Sequence, residues 1–169
     1  MEAQPDARIE ESVQRLAEAR VKVSVLDRDR ALREWSVLGK ILRPAVADSS
    51  GRLHISDVRA GIEDQSMLAL LIWDPEGAEI YAVMVAEMFE FPHKKVFDIT
   101  LCAAARPGTP WHNVFRAIAH IAKTMGANQL EINGRRGWRR YLEGAVEEAA
   151  VYIVDLDAGS GEGLEGAQA

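Results

Sequence analysis

Three carboxylates set on apolar stretches are the residues of this chain best suited to moving protons. Glu87, Asp98 and Glu131 stand in the segments VAEMF, FDITL and QLEIN. Burial among apolar neighbours disfavours the charged form of a carboxyl and raises its pKa toward the range of a general base. On that ground Glu87 and Glu131 are preferred, with Asp98 a third candidate; for each, a solvated strand residue is the alternative. A second chemical feature is the turn Arg106-Pro107-Gly108-Thr109-Pro110, which opens an amphipathic helix. The first N–H groups of a helix lack intrahelical partners and lie at its positive end, so a phosphate at this turn is stabilised. A third is the cluster Arg135, Arg136, Arg139 and Arg140 around Trp138, either a solvated helix face or a patch for an anionic partner.

Other reactive types carry less. Cys102 is the single cysteine and falls in an apolar strand, where a free thiol acts mostly as a small core residue. The four histidines show no metal-ligand spacing.

These residues need a scaffold, and hydrophobic periodicity supplies its outline. Residues 1–20 form a helical arm and Val21–Leu26 a strand. Arg28–Ala47 reads as one long helix, with Pro44 kinking it or marking its last turn. Ser56 caps a short helix ending near Ile62. Met67–Trp73 and Ala78–Phe89 are strands joined by the turn Asp74-Pro75-Glu76-Gly77. The second is apolar on both faces, with Ile80, Ala82 and Met84 on one and Tyr81, Val83 and Val85 on the other, as in a central strand. Lys95–Ala103 is a further strand, its apolar face Phe97, Ile99 and Leu101. Thr109 as N-cap and Pro110 as first helical residue start the main helix. Its buried stripe is Trp111, Val114, Phe115, Ile118, Ile121, Ala122 and Met125, and Gly126 stops it. Gln129–Asn133, Gly137–Gly144 and Val146–Leu156 follow as strand, short helix and strand. Residues 158–169, rich in glycine, read as a disordered tail. The order predicts an α/β domain over residues 21–157, with a mixed, mostly antiparallel sheet and helices on both faces.

Composition narrows the function. A chain of 169 residues that is 48% hydrophobic and 27% charged can bury a real core. A net charge of −6 argues against non-specific nucleic-acid binding. No apolar run is long enough to span a bilayer, and the polar start MEAQPDARIEES lacks the pattern of a signal peptide, so a cytoplasmic location is expected.

The element order, together with residues Thr100 to Gly144, resembles the GNAT superfamily of N-acetyltransferases over roughly Val21 to Leu156. In that family a strand leads to a turn of pattern Gln/Arg-x-x-Gly-x-Gly/Ala, whose backbone N–H groups hold the pyrophosphate of acetyl-coenzyme A. The matching segment is Ala105 to Pro110: Gly108 fits the first glycine, Ala105 and Pro110 replace the first and last family residues, and Arg106 brings a positive charge. A later family segment, Asn…Tyr-x-x-x-Gly-Phe, corresponds to Asn133, Tyr141, Gly144 and Ala145, with the tyrosine one position closer to the glycine.

The resemblance implies acetyl-CoA or another acyl-CoA as donor, bound by Leu101, Ala103, Arg106, Gly108, Thr109 and Asn133. It implies an amine acceptor, small molecule or protein, with Glu87 or Glu131 as base. Backbone N–H groups near Leu101 to Ala103 would polarise the thioester and Tyr141 would be the acid. The segment GRRGWRRYLEGA and the Trp35 helix also resemble small GNAT-like proteins of tailed bacteriophages and prophages. That implies an alternative: an inactive GNAT-fold protein that binds virion proteins, uses no cofactor and is located in the virion. A third reading is a binding module built on the Arg135–Arg140 patch.

Overall fold

The computed structural model describes residues 21–49, 51–133, 136–142 and 144–147. The expected N-terminal arm, the tail and all but the first two residues of the strand expected over Val146–Leu156 lie outside them.

Five strands form one sheet in sequential order: β1 (Lys22–Leu26), β2 (Met67–Asp74), β3 (Glu79–Glu90), β4 (Lys95–Ala104) and β5 (Gln129–Ile132). The first four pair antiparallel; β4 and β5 are parallel, joined by the crossover helix α4 (Trp111–Thr124). The helices α1 (Arg28–Arg33), α2 (Trp35–Ala47) and α3 (Ile55–Glu63) precede β2, and a 3-10 turn spans Arg136–Tyr141.

Alternation along the strands divides the core in two. Ala69, Leu71, Val83 and Val85 pack against Ala31, Leu38, Leu42, Val58 and Ile62 of α1–α3. Leu70, Ile72, Ala82 and Met84 pack against Val114, Phe115, Ile118 and Ala122 of α4. Strand β3 is central and buried on both faces, as its composition requires.

Local chemistry adjusts several expectations. The predicted helix Arg28–Ala47 is two helices, because Glu34 takes φ −86°, ψ 4° and ends the first. Asp27 caps α1, its Oδ1 accepting from Arg30 N at 2.9 Å. Pro44 falls in the last turn of α2. His54, not Ser56, caps α3: its ring Nδ1 accepts from Ser56 N, and Asp57 Oδ2 accepts from His54 N at 2.7 Å. The cap of α4 is Pro110 rather than Thr109. At φ −78°, ψ 75° Pro110 is outside the helix, and the Thr109 hydroxyl donates to Arg106 O instead. At the far end Gly126 adopts φ +87°. Its N–H bonds Lys123 O and Ala127 N–H bonds Ala122 O, closing the helix in a Schellman turn. Met125, expected in the buried stripe, is exposed and is the C-cap of the helix.

Two bulges change which face a residue meets. Trp73 pairs with Ile80 and Ile72 with Ala82, so Tyr81 is the extra residue. Ile80 therefore joins the α1–α3 side and Tyr81 the α4 side, the reverse of strict alternation. In β4, Leu101 pairs with Val85 and Ile99 with Ala86, leaving Thr100 as the extra residue. Phe97 and Ile99 face α4 while Leu101 and Ala103 face α1–α3. The single apolar face predicted for Phe97, Ile99 and Leu101 is split by this bulge.

Candidate active site

The bulge at Thr100 coincides with the point where two parallel strands part. Strands β4 and β5 pair from Val96 and Gln129 to Ile99 and Ile132. Beyond Ile99, β4 runs on to Ala104 against β3 alone among the described residues. Alternate residues there turn N–H and C=O away from β3, toward the open edge. A cleft of about 870 Å³ opens along this stretch, within the size range of small-molecule sites. Asp98, Thr100 and Leu101 to Ala104 line it from the sheet. Ile41, Pro44, Ala45 and Asp48 of α2 and the following turn line one side; Trp111, Asn133, Trp138, Arg140 and Tyr141 line the other.

Of the sequence candidates, Leu101, Ala103, Asn133 and Tyr141 meet at this cleft. Glu87 and Glu131 are set beside it, in register with Asp98 on neighbouring strands. Residues in register share a face, so the three carboxylates form a row across β3, β4 and β5, with neighbours about 5 Å apart at the backbone. Asp98 is the central and most buried of them, 7% exposed. The Thr100 hydroxyl lies 2.7 Å from Glu87 Oε2 and 3.3 Å from Asp98 Oδ2. Glu131 accepts from the Gln129 amide at 2.7 Å. Asp98 Oδ1 is buried without a hydrogen-bond partner among the described residues.

Burial raises the Asp98 pKa above the usual carboxylate range; the Thr100 hydroxyl opposes this, and the charges of Glu131 and Glu87 add to it. The sequence ranked this residue third, after Glu87 and Glu131. The signal was available: Asp98 is the single carboxylate of a strand that is otherwise almost wholly apolar. Cys102 also lines the cleft, and burial pushes its thiol up to about 12, the state of an inert thiol rather than a nucleophile.

The turn before α4 uses its own groups. Gly108 has φ +84°, open to glycine without strain. Trp111 N–H bonds Thr109 O at 2.9 Å. Arg106 forms an ion pair with Glu79, and its guanidinium lies 4.9 Å from the Tyr81 ring centroid. Arg106, Gly108 and Thr109 thus sit at the helix entrance but outside the lining of the cleft.

Aromatic packing fixes the opposite wall. Trp138 meets Trp111 edge-on at 4.9 Å and Phe115 at 5.4 Å, which seats the 3-10 turn on α4. Tyr141 meets His112 at 5.6 Å. Arg140 lies over the Tyr141 ring at 4.7 Å. Arg135 lies outside the described residues. Among them, no cluster of His, Cys, Asp and Glu can hold a metal ion, and no helix is long and apolar enough to cross a membrane.

No protein-family model and no curated protein sequence matches the chain. Solved structures do. A ribosomal-protein-alanine N-acetyltransferase from Brucella melitensis biovar Abortus 2308 is 14% identical, with TM-score 0.59, covering 80% of this chain and 98% of its own. A predicted acetyltransferase with acetyl-CoA from Clostridium acetobutylicum is 10% identical, with TM-score 0.59, over 83% and 99%. An aminoglycoside acetyltransferase from an uncultured soil metagenomic sample, in complex with sisomicin, is 13% identical, with TM-score 0.59, over 82% and 98%. The likeness is one of fold: the chain has the architecture of the GNAT acetyltransferases, a mostly antiparallel sheet with helices on both faces.

Proposed function

We propose that the protein is an N-acyltransferase that takes its acyl group from an acyl-CoA and passes it to an amine. One observation carries this reading: a buried carboxylate with an unpartnered oxygen, Asp98, lines the same cleft as Tyr141 and the open edge of β4. The fold shared with acetyltransferases, one of them in a complex with acetyl-CoA, supports the donor class.

The donor supplies an acyl thioester, and the cleft is large enough for the arm that carries it. Backbone N–H groups of Leu101 to Ala103 that face the open edge are positioned to polarise a carbonyl. Asn133 and the turn Arg106, Gly108 and Thr109 stand at either end of the donor's path. Asp98, held partly by Thr100, accepts a proton from the attacking amine at Oδ1. Glu131 and Glu87 keep Asp98 basic by their negative charge. The Tyr141 hydroxyl gives a proton to the departing thiolate.

A second reading, an inactive GNAT-fold phage protein with a structural role, draws on the turn. Arg106 is engaged by Glu79, and Pro110 has no N–H to offer a phosphate. Calorimetric titration with acetyl-CoA, followed by an assay of thiol release with amines, separates the two. Saturable binding and amine-dependent thiol release are expected for the enzyme; no heat at millimolar acetyl-CoA sinks it.

A further inference from the structure

The row Glu87, Asp98 and Glu131 places three carboxylates on adjacent strands, facing the same way. Like charges directly opposite one another in a sheet are destabilising. No lysine or arginine forms an ion pair with any of the three among the described residues. Nor do the described residues form a metal site there. Buried, unpartnered polar atoms are rare in folded proteins and cost free energy, yet Asp98 Oδ1 is one, and Asp98 lines the cleft. Among the described residues the row has no cationic partner and Asp98 Oδ1 has no donor, and an alkylammonium group supplies both.

We propose that the acceptor is a dication, a short alkyl diamine or a polyamine, whose reacting nitrogen docks on Asp98 Oδ1 and whose second ammonium is held by Glu131. The identity of the reacting nitrogen rests on the acyltransferase reading above. Glu131 is the second contact because it is exposed at the β5 end of the row, whereas Glu87 is half-buried and lines a separate pocket with Gln65, Ser66 and Met125. Strand spacing sets the scale: groups on β4 and β5 in register lie about 5 Å apart, which matches nitrogens separated by three or four methylenes. The other end of the cleft suits the donor. The extended chain from Asp98 to Ala104 covers roughly 20 Å, and Arg140 lines the cleft beside Tyr141 and the start of α4. Acceptor cation and donor anion therefore approach from opposite ends. Amines that carry a carboxylate next to the second position are disfavoured by Glu131.

The test compares 1,4-diaminobutane with butylamine, by calorimetry on the full chain and by acylation with acetyl-CoA. The diamine is expected to bind about tenfold more tightly, as one further charge-assisted contact requires. In Glu131→Gln the diamine-to-monoamine ratio is expected to fall close to one. Glu131 is exposed, so this change leaves the core intact, and the wild-type comparison needs no variant. Equal affinity for the two amines in the wild type overturns the proposal, as does a preference that survives Glu131→Gln. Acylation of butylamine without a diamine preference refutes the dication and leaves the acyltransferase standing. Diamine binding lost in Glu131→Gln, with no acetyl-CoA binding, refutes the acyltransferase and leaves the cation site standing.

Discussion

The Thr100 hydroxyl sits 2.7 Å from Glu87 Oε2 and 3.3 Å from Asp98 Oδ2. One hydroxyl proton serves two carboxylates, and the shorter contact favours Glu87. Asp98, the more buried of the two, is left under-bonded beside the cleft. The bulge creates this arrangement, because Thr100 is the residue of β4 with no partner on β3.

Removing that hydroxyl should make Asp98 harder to ionise. The bond to Thr100 lowers the Asp98 pKa while burial and the two glutamates raise it. Thr100→Val therefore shifts the acidic limb of the pH–rate profile to higher pH. An unchanged or lowered limb would remove Asp98 from the role of base.

Asp98→Asn should lose activity and gain stability. Loss of a positioned base costs about 10²–10⁴ in rate. The sign of the stability effect follows from linkage. Asp98 in the folded chain has its pKa raised above the unfolded value, so the folded state holds more protons between the two. Stability at this site is thus greatest below the unfolded value of about 3.9 and falls as pH rises through the folded value. The asparagine variant should melt higher than the wild type at neutral pH, and the gap should shrink in acid. Thermal melts across pH check this; a variant that melts lower at neutral pH contradicts it.

Tyr141→Phe keeps the ring that meets His112 and Trp138 and loses the hydroxyl. A fall in kcat of about 10² or more, with KM for the acyl donor little changed, is expected of a proton donor. Steady-state kinetics read both constants, and a change confined to KM would reassign Tyr141 to binding.

Gly126→Ala tests the helix that seats the cleft wall. An alanine Cβ there meets only Lys95 Nζ at 3.7 Å, so the cost comes from φ +87° rather than from a clash. A loss of about 1–2 kcal/mol in denaturant unfolding is expected. No loss would mean that the Schellman turn at Ala122–Ala127 contributes little.

Among the described residues the sequence by itself determined most of the elements and their order, because periodicity, turn residues and helix stops act within short windows. The alternation of VKVSVL over Val21–Leu26, the apolar run of β3 and Gly126 as a stop were each legible without a partner strand. Asn133 and Tyr141 were named from their spacing to Gly144, and both line the cleft. Only the tertiary structure decided which residues share a face. The bulges at Tyr81 and Thr100 depend on the register of two strands, and one slipped residue moves every later side chain to the opposite side. Ile80, Tyr81 and Leu101 changed faces for that reason. The same register set Asp98 between Glu87 and Glu131, where burial and like charge combine to raise its pKa. Spacing along the chain names three carboxylates; pairing across strands singles out Asp98, the buried one, whose Oδ1 has no hydrogen-bond partner among the described residues.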